Sequence, residues 1–224
     1  MPAVPVIDLG APGAATEVDA ACREHGFFTV VGHGIDPALL DRLVALAREF
    51  FALPDEDKAA VAMARAGKAW RGWFPLGGEL TSGVPDRKEG LYLGAEDRPD
   101  DPRPLHGANL FPERPAELGP TVLAALDALT HLGHRVMAVL AAGLGLAPDW
   151  FATHLTADPT ILFRIFHYPP VAAGDGAGDW DVAEHTDYGL LTLLLQDDSG
   201  GLQVRTGGGW LGVPPIPGAL VCNR

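Results

Sequence analysis

The chain has 224 residues, 47% of them apolar, which suits one domain or one domain with an N-terminal extension and excludes a disordered chain. A formal net charge of −13 with no basic stripe gives nucleic acid no electrostatic footing and reads as a solvated acidic surface. Two cysteines, Cys22 and Cys222, make neither a disulfide framework nor a Cys-rich zinc site, the start Met1 to Asp8 lacks signal-peptide character, and the longest apolar stretch, Val136 to Pro148, is too short for a bilayer. The expectation is a cytoplasmic protein without a membrane partner.

Along the chain, Val4 to Ile7 reads as a short strand, residues 16–25 as a helix and Phe27 to Val31 as a second strand, ended by Gly32-His33-Gly34. The strongest helix signal follows. Asp36 is its N-cap, Pro37 its first residue, and Leu39, Leu40, Leu43, Val44, Ala47, Phe50 and Phe51 recur at three- and four-residue spacing before Pro54 stops it. Residues 66–115 are rich in Gly, Pro and charge, with Trp70 and Trp73 among glycines and Leu91-Tyr92-Leu93 as a strand; they suit either a lid or a surface connection. A long helix pattern covers residues 116–146, through Leu123, Leu126, Leu129, Leu132, Val136, Val139 and Leu140. His131 and His134 lie on it three apart, and with no carboxylate beside them they read as a solvated face rather than a metal site.

After Pro148 the pattern turns to short β-prone runs: Ile161 to Phe166, Leu190 to Leu195, Gly201 to Arg205 and Ala219 to Asn223. Separated by Gly, Pro and Asp, they suggest an antiparallel sandwich or barrel. The implied division is an N-terminal region over residues 1–115, scaffold helices over 116–158 and a β-rich core over 159–224.

The chemistry-bearing segment is Glu184-His185-Thr186-Asp187. On extended backbone, residues two apart point to one side, so one imidazole and one carboxylate can share a cation. A third, distant histidine would complete a facial triad that leaves iron(II) positions open for a co-substrate and dioxygen. His-x-Asp spacing recurs by chance, and a metal-free pair near a turn is the plainer reading of the spacing alone. Its context favours a site, because the pair opens the longest continuous apolar strand candidate, Leu190 to Leu195, and a polar pair at the mouth of a buried strand is where a barrel site would sit.

Several motifs in order carry a resemblance. They are Ala21-Cys-Arg-Glu-His-Gly-Phe-Phe-Thr-Val-Val-Gly-His-Gly-Ile35, Phe50-Phe-Ala-Leu-Pro54, Arg71-Gly72 with Pro75-Leu-Gly-Gly-Glu79 and Lys88-Glu89, and Phe166-His-Tyr-Pro169. His185-Thr-Asp187, Gly201-Leu-Gln-Val204 and Pro217-Gly-Ala-Leu-Val-Cys-Asn223 continue them. Together they resemble the isopenicillin N synthase-like family of non-haem iron, 2-oxoglutarate-dependent oxygenases. The resemblance implies an α+β fold, a double-stranded β-helix (jelly roll) buttressed by N-terminal helices. It implies Fe(II), O2 and, in most members, 2-oxoglutarate, whose oxidative decarboxylation is coupled to hydroxylation, desaturation or ring closure of a small molecule. By matching position, His185 and Asp187 would be iron ligands, and Tyr168 would reach a carboxylate of 2-oxoglutarate or of the substrate. Arg71, Trp73 and Lys88 would line a lid suited to an anionic or amino-acid-like substrate.

The family pattern continues beyond Asn223 with further strands, a distal histidine ligand and an Arg-x-Ser pair that clamps 2-oxoglutarate, whereas this chain has no histidine after Asp187. The resulting expectation is a chain cut short, lacking its last strands and impaired as an enzyme, with a catalytically inactive remnant that binds metal weakly or a protein partner as the alternative. Direct oxidation without 2-oxoglutarate, as in some members, is a third option.

Overall fold

The computed structural model describes residues 3–170 and 180–224. In chain order its elements are β1 (Val6–Asp8), α1 (Ala14–Glu24), β2 (Phe27–Val31), α2 (Pro37–Phe51), α3 (Asp55–Lys58), β3 (Gly72–Phe74), β4 (Leu80–Thr81), β5 (Val84–Pro85) and β6 (Glu89–Gly94). There follow α4 (Leu118–Gly143), α5 (Trp150–His154), β7 (Leu162–His167), β8 (Thr192–Leu195), β9 (Gln203–Thr206), β10 (Gly209–Gly212) and β11 (Leu220–Asn223). The chain packs as two compact units that interleave along the sequence. The first comprises Met1–Leu40, Asp127–Pro159 and Asp187–Arg224, and the second Asp41–Leu126 and Thr160–Thr186. The contiguous ranges suggested by composition follow changes of residue type, whereas these units follow packing partners.

The first unit is built on a sheet of order β1-β2-β11-β8. β1 runs parallel to β2, and β11 runs antiparallel to β2 on one side and to β8 on the other. Side chains of β11 alternate between two cores, as strand geometry requires. Leu220 and Cys222 enter one with Phe28, Val30, Val18, Cys22, Leu132, Val136 and Leu140. Val221 enters the other with Val4, Val204, Leu211 and Val213. β8 is divided the same way, with Leu193 and Leu195 on the first core and Leu194 on the second. Coverage on both faces explains why this region reads as an unbroken apolar run rather than an alternating one. The two cysteines, 200 positions apart in sequence (222 − 22), share the first core as free thiols. Burial, and then the nearby Cys22, push the Cys222 thiol up to about 12, so it stays protonated and inert. β9 and β10 form an antiparallel hairpin that supplies Val204 and Leu211 to the second core.

Helix α2 begins where its sequence says it should. Asp36 Oδ1 accepts the Ala38 backbone N–H at 2.9 Å, and Pro37 sits at the first helical position. In α4 the expected stripe is buried at Leu126, Leu132, Val136 and Leu140, joined by Leu118, Val122 and Ala125, while Leu123 lies at the surface.

The second unit contains a sheet of order β3-β6-β7. All six residues of the central strand β6 are buried, so part of the segment expected to be a lid or a connection is interior sheet. Phe74, Tyr92 and Phe166 meet edge to face across it, with centroids 5.3 to 6.5 Å apart. At one end of β6, Glu89 is a polar hub. Its Oε2 accepts from Lys58 Nζ and Trp73 Nε1, each at 2.8 Å, and its Oε1 accepts from His167 Nδ1 at 2.8 Å. Burial raises the Glu89 pKa, but the hydrogen bonds from Lys58, His167 and Trp73 outweigh it and hold the carboxyl below its usual range.

This packing has consequences for stability. Asp36→Ala removes the α2 cap and should cost about 1 kcal/mol in chemical denaturation. Glu89→Gln leaves buried Lys58 beside a neutral amide, with the exposed Asp55 carboxylate still 3.0 Å away, and should cost about 3 kcal/mol at pH 7. A carboxyl whose folded pKa is depressed stabilises above its unfolded value and loses that contribution as pH falls through the folded one. The gap between wild type and Glu89→Gln should therefore narrow on acidification below about pH 4. A gap that stays constant down to acid unfolding would remove the ionised Glu89 from the stability balance.

Candidate functional site

Residues 183–188 carry neither helix nor strand, and His185 and Asp187 are exposed within them. His185 belongs to the second unit and Asp187 to the first. His185 Nδ1 lies 3.0 Å from the Ala183 carbonyl oxygen. A carbonyl can only accept, so Nδ1 carries a proton, and in the neutral form of the ring the lone pair is then on Nε2. That is the tautomer a metal-ligating histidine needs when its other nitrogen is held by a backbone oxygen. Asp187 Oδ2 accepts from Asn223 Nδ2 at 2.9 Å. One imidazole nitrogen and one carboxylate are a donor set that suits iron(II). Among the described residues, no group of three or more His, Cys, Asp or Glu side chains could hold a metal ion.

Tyr168 follows β7. Although 46% of its surface is exposed, burial of its phenol and then the negative charges of Asp86, Asp181 and Glu79 push its pKa up to about 12. It is therefore a hydrogen-bond donor at neutral pH.

The three lid candidates turn out differently from one another, and none is a solvent-facing lid residue. Arg71 is 1% exposed, and its Nη2 donates to the Leu105 carbonyl at 2.7 Å, while Nε and Nη1 have no hydrogen-bond partner among the described residues. Burial lowers its pKa, against the nearby charges of Asp97 and Glu96. Lys88 is buried too. Its Nζ lies 2.8 Å from both Asp86 and Glu79 and 4.5 Å above the Phe166 ring. Trp73 donates to Glu89, and it also lines a cleft of about 450 Å³ with Met63, Trp70, Phe74 and Pro75. Cations in a Gly- and Pro-rich stretch read as ligand-facing when their acidic partners, scattered through the same stretch, are not recognised as partners.

His131 is exposed on α4, its Nδ1 donating to the Asp127 carbonyl at 2.8 Å and lying 3.5 Å from the Asp127 carboxylate, so a carboxylate does stand beside it, contrary to expectation, although both side chains are solvated. Sequence reasoning missed three polar ties. His33 donates from Nε2 to the Gly218 carbonyl at 2.6 Å and accepts the Ile35 N–H on Nδ1 at 3.2 Å. His106 bridges Asp97 at 2.9 Å and Thr160 at 3.1 Å. His167 is held by Glu89. The available signal was a Lys-Glu pair opening an otherwise apolar run at Lys88-Glu89-Gly-Leu-Tyr-Leu93, since charge at the start of a buried strand needs partners.

Comparison with known proteins identifies the family. Residues 4–114 match the family model "non-haem dioxygenase in morphine synthesis N-terminal", and residues 159–224 match that of the 2OG-Fe(II) oxygenase superfamily. A Dictyostelium discoideum protein described as "Probable iron/ascorbate oxidoreductase" is 44% identical over 98% of this chain and 70% of its own length. An Arabidopsis thaliana homoarginine-6-hydroxylase is 35% identical over 96% of this chain and 67% of its own. A full-length Neurospora crassa protein, crystallised in complex with alpha-KG and thymine, superposes with a TM-score of 0.84 at 28% identity, covering 98% of this chain and 73% of that one. This chain thus spans about two thirds to three quarters of the length of these proteins, with an α+β fold of the jelly-roll oxygenase type. With that identity to a relative most of whose length it covers, and with the superfamily model matched across the His185-Thr-Asp187 segment, the chain belongs to the 2OG-Fe(II) oxygenase superfamily, the non-haem iron oxidoreductases that use 2-oxoglutarate and O2.

Proposed function

We propose that this chain contributes to the hydroxylation of a small, polar, amino-acid-like molecule, with His185 Nε2 and an Asp187 carboxylate oxygen as two iron(II) ligands. The observation that carries the reading is the Nδ1–H hydrogen bond of His185 to the Ala183 carbonyl, which leaves Nε2 as a metal donor two residues before a carboxylate. Bound iron(II) supplies the place where dioxygen and 2-oxoglutarate react, the acid leaving as succinate and carbon dioxide. Tyr168, kept protonated by its surroundings, donates to a carboxylate of 2-oxoglutarate or substrate. Of the lid candidates, Trp73 bears on substrate through the cleft it lines, and Arg71 and Lys88 through the framework they brace. The amino-acid-like class is supported by the names of relatives, a homoarginine-6-hydroxylase at 35% identity and a 1-aminocyclopropane-1-carboxylate oxidase at 32%. Desaturation or ring closure would use the same residues. Among the described residues no helix is long and apolar enough to cross a membrane, and a cytoplasmic location is part of the proposal.

With two protein ligands the 224 residues taken alone should hold a divalent metal weakly, water filling the remaining positions, and their turnover should be impaired. The test is an anaerobic Mn(II) titration of the chain, with succinate formation measured separately using Fe(II), 2-oxoglutarate, O2 and a panel of amino acids. His185→Ala and Asp187→Ala should each weaken Mn(II) binding at least about tenfold. A double variant that binds Mn(II) as tightly as wild type would remove both residues from the metal site.

A further inference from the structure

We propose that Thr160 is a nucleophile, its hydroxyl activated by the His106–Asp97 pair, and that it takes an acyl group from activated esters. The site lies wholly within the second unit and uses none of the residues assigned to the metal. It stands independently of the reading under Proposed function.

The backbone around His106 is built to hold an imidazole in place. His106 sits between Leu105 at φ 65° and Gly107 at φ 155°, both in the left-handed region. For leucine that conformation costs about 1 to 2 kcal/mol, so surrounding contacts must impose it. The Leu105 N–H donates to the Lys68 carbonyl at 3.1 Å, and the Leu105 carbonyl accepts from buried Arg71 at 2.7 Å. The Gly107 carbonyl accepts from the Asp97 N–H at 3.4 Å, and a Cβ at Gly107 would come within 2.8 Å of the Ala69 Cβ. Backbone held this way against its preference collects at functional positions.

The side chains form a line of hydrogen bonds. Asp97 Oδ2 lies 2.9 Å from His106 Nδ1, and His106 Nε2 lies 3.1 Å from Thr160 Oγ1. A carboxylate can only accept, so Nδ1 carries a proton. In the neutral form of the ring the lone pair is then on Nε2, and the Thr160 hydroxyl donates to it. An orienting carboxylate, a general base and a hydroxyl within hydrogen-bond reach are the parts an activated nucleophile needs. His106 is 6% exposed, whereas Thr160, just ahead of β7, is an exposed residue. A bare tie between this loop and β7 needs neither an exposed threonine at its end nor strained backbone at its imidazole. The charged groups around the imidazole are Asp97 and Asp101, with Arg103 Nη2 3.5 Å from Asp97 and the Arg71 charge acting on Asp97 and Glu96.

In the transfer, Thr160 Oγ1 bonds to the ester carbonyl carbon as its proton passes to His106 Nε2. The tetrahedral adduct collapses by breaking the bond from that carbon to the leaving oxygen, which departs with the electron pair. With p-nitrophenyl acetate as donor the leaving group is p-nitrophenolate, the product is an acetyl ester on Thr160, and His106 releases its added proton to water.

The test treats the 224-residue chain with p-nitrophenyl acetate in the presence of EDTA and locates acetyl groups by peptide mass spectrometry. Thr153, exposed on α5, is the internal reference. Thr160 should acetylate about a hundredfold or more faster than Thr153, and His106→Gln should lose that advantage. Asp97→Asn should slow the reaction at least about tenfold, and Thr160→Ser should retain labelling at position 160. The pH profile of the wild type needs no variant to fold: labelling of Thr160 should rise with pH and level off once the imidazole is neutral. Equal rates at Thr160 and Thr153 overturn the proposal. So does undiminished labelling in a folded His106→Gln protein, or a rate that climbs in proportion to hydroxide without levelling.

Discussion

Hydrogen bonding of β11 to β2 on one side and to β8 on the other is the constraint around which the first unit is arranged. It joins the N-terminal β1-β2 pair to the strand that follows the His185-Thr-Asp187 segment, and it places Leu220 and Cys222 in one core and Val221 in the other. Helices α1 and α4 supply Val18, Ala21, Leu132, Val136 and Leu140 to the first core, and the β9-β10 hairpin fills the second. The amide of Asn223 is a by-product of the same register, since a shift by one residue would exchange the two faces of the strand.

The second unit is organised by charge as much as by apolar packing. Lys58, Lys88, Glu89 and Asp86 are all buried, and each meets an opposite charge within 2.8 Å. Ion pairs of this kind contribute little net stability over an apolar alternative, but losing one partner is costly because the other charge remains. They fix which strands and turns meet. Lys58 joins α3 to β6, His167 joins β7 to the same carboxylate, and Lys88 draws Asp86 and Glu79 together beside the Phe166 ring. Tyr168, next along the chain from His167, owes its raised pKa to this environment.

What the sequence disclosed depended on how local the cause was. α2 is legible because cap, proline and apolar spacing lie within one stretch, Asp36 to Phe51. β11 is legible because Ala219 to Cys222 is an apolar run bounded by Gly218 and Asn223. His185 and Asp187 were marked by a two-residue spacing, and Ala183, which sets the His185 tautomer, lies only two residues before it. The amide of Asn223 that meets Asp187 is 36 residues distant, and the Glu89 carboxylate that meets Lys58 is 31 distant, so no short window contains either of these pairs. β10 was hidden because Gly209 and Gly212 flank Trp210-Leu211 and suppress any β-branched signal. The interleaving of the two units was hidden for the same reason as the ion pairs: composition changes along the chain, but packing partners need not adjoin in it.

The pairing of β11 with β2 also sets an order of events during synthesis. Thr29 meets Val221, a residue 192 positions later (221 − 29), so β2 has no partner on that edge until those residues have been made. Until then the parallel β1-β2 pair offers an open edge and half of an apolar core, the kind of surface that other chains and chaperones engage. Most of the second unit lies in Asp41–Leu126, and its β3-β6 pair can form as soon as those residues emerge. The two units therefore face different hazards on the ribosome, one short and local, the other lasting until residues 220–223 have emerged.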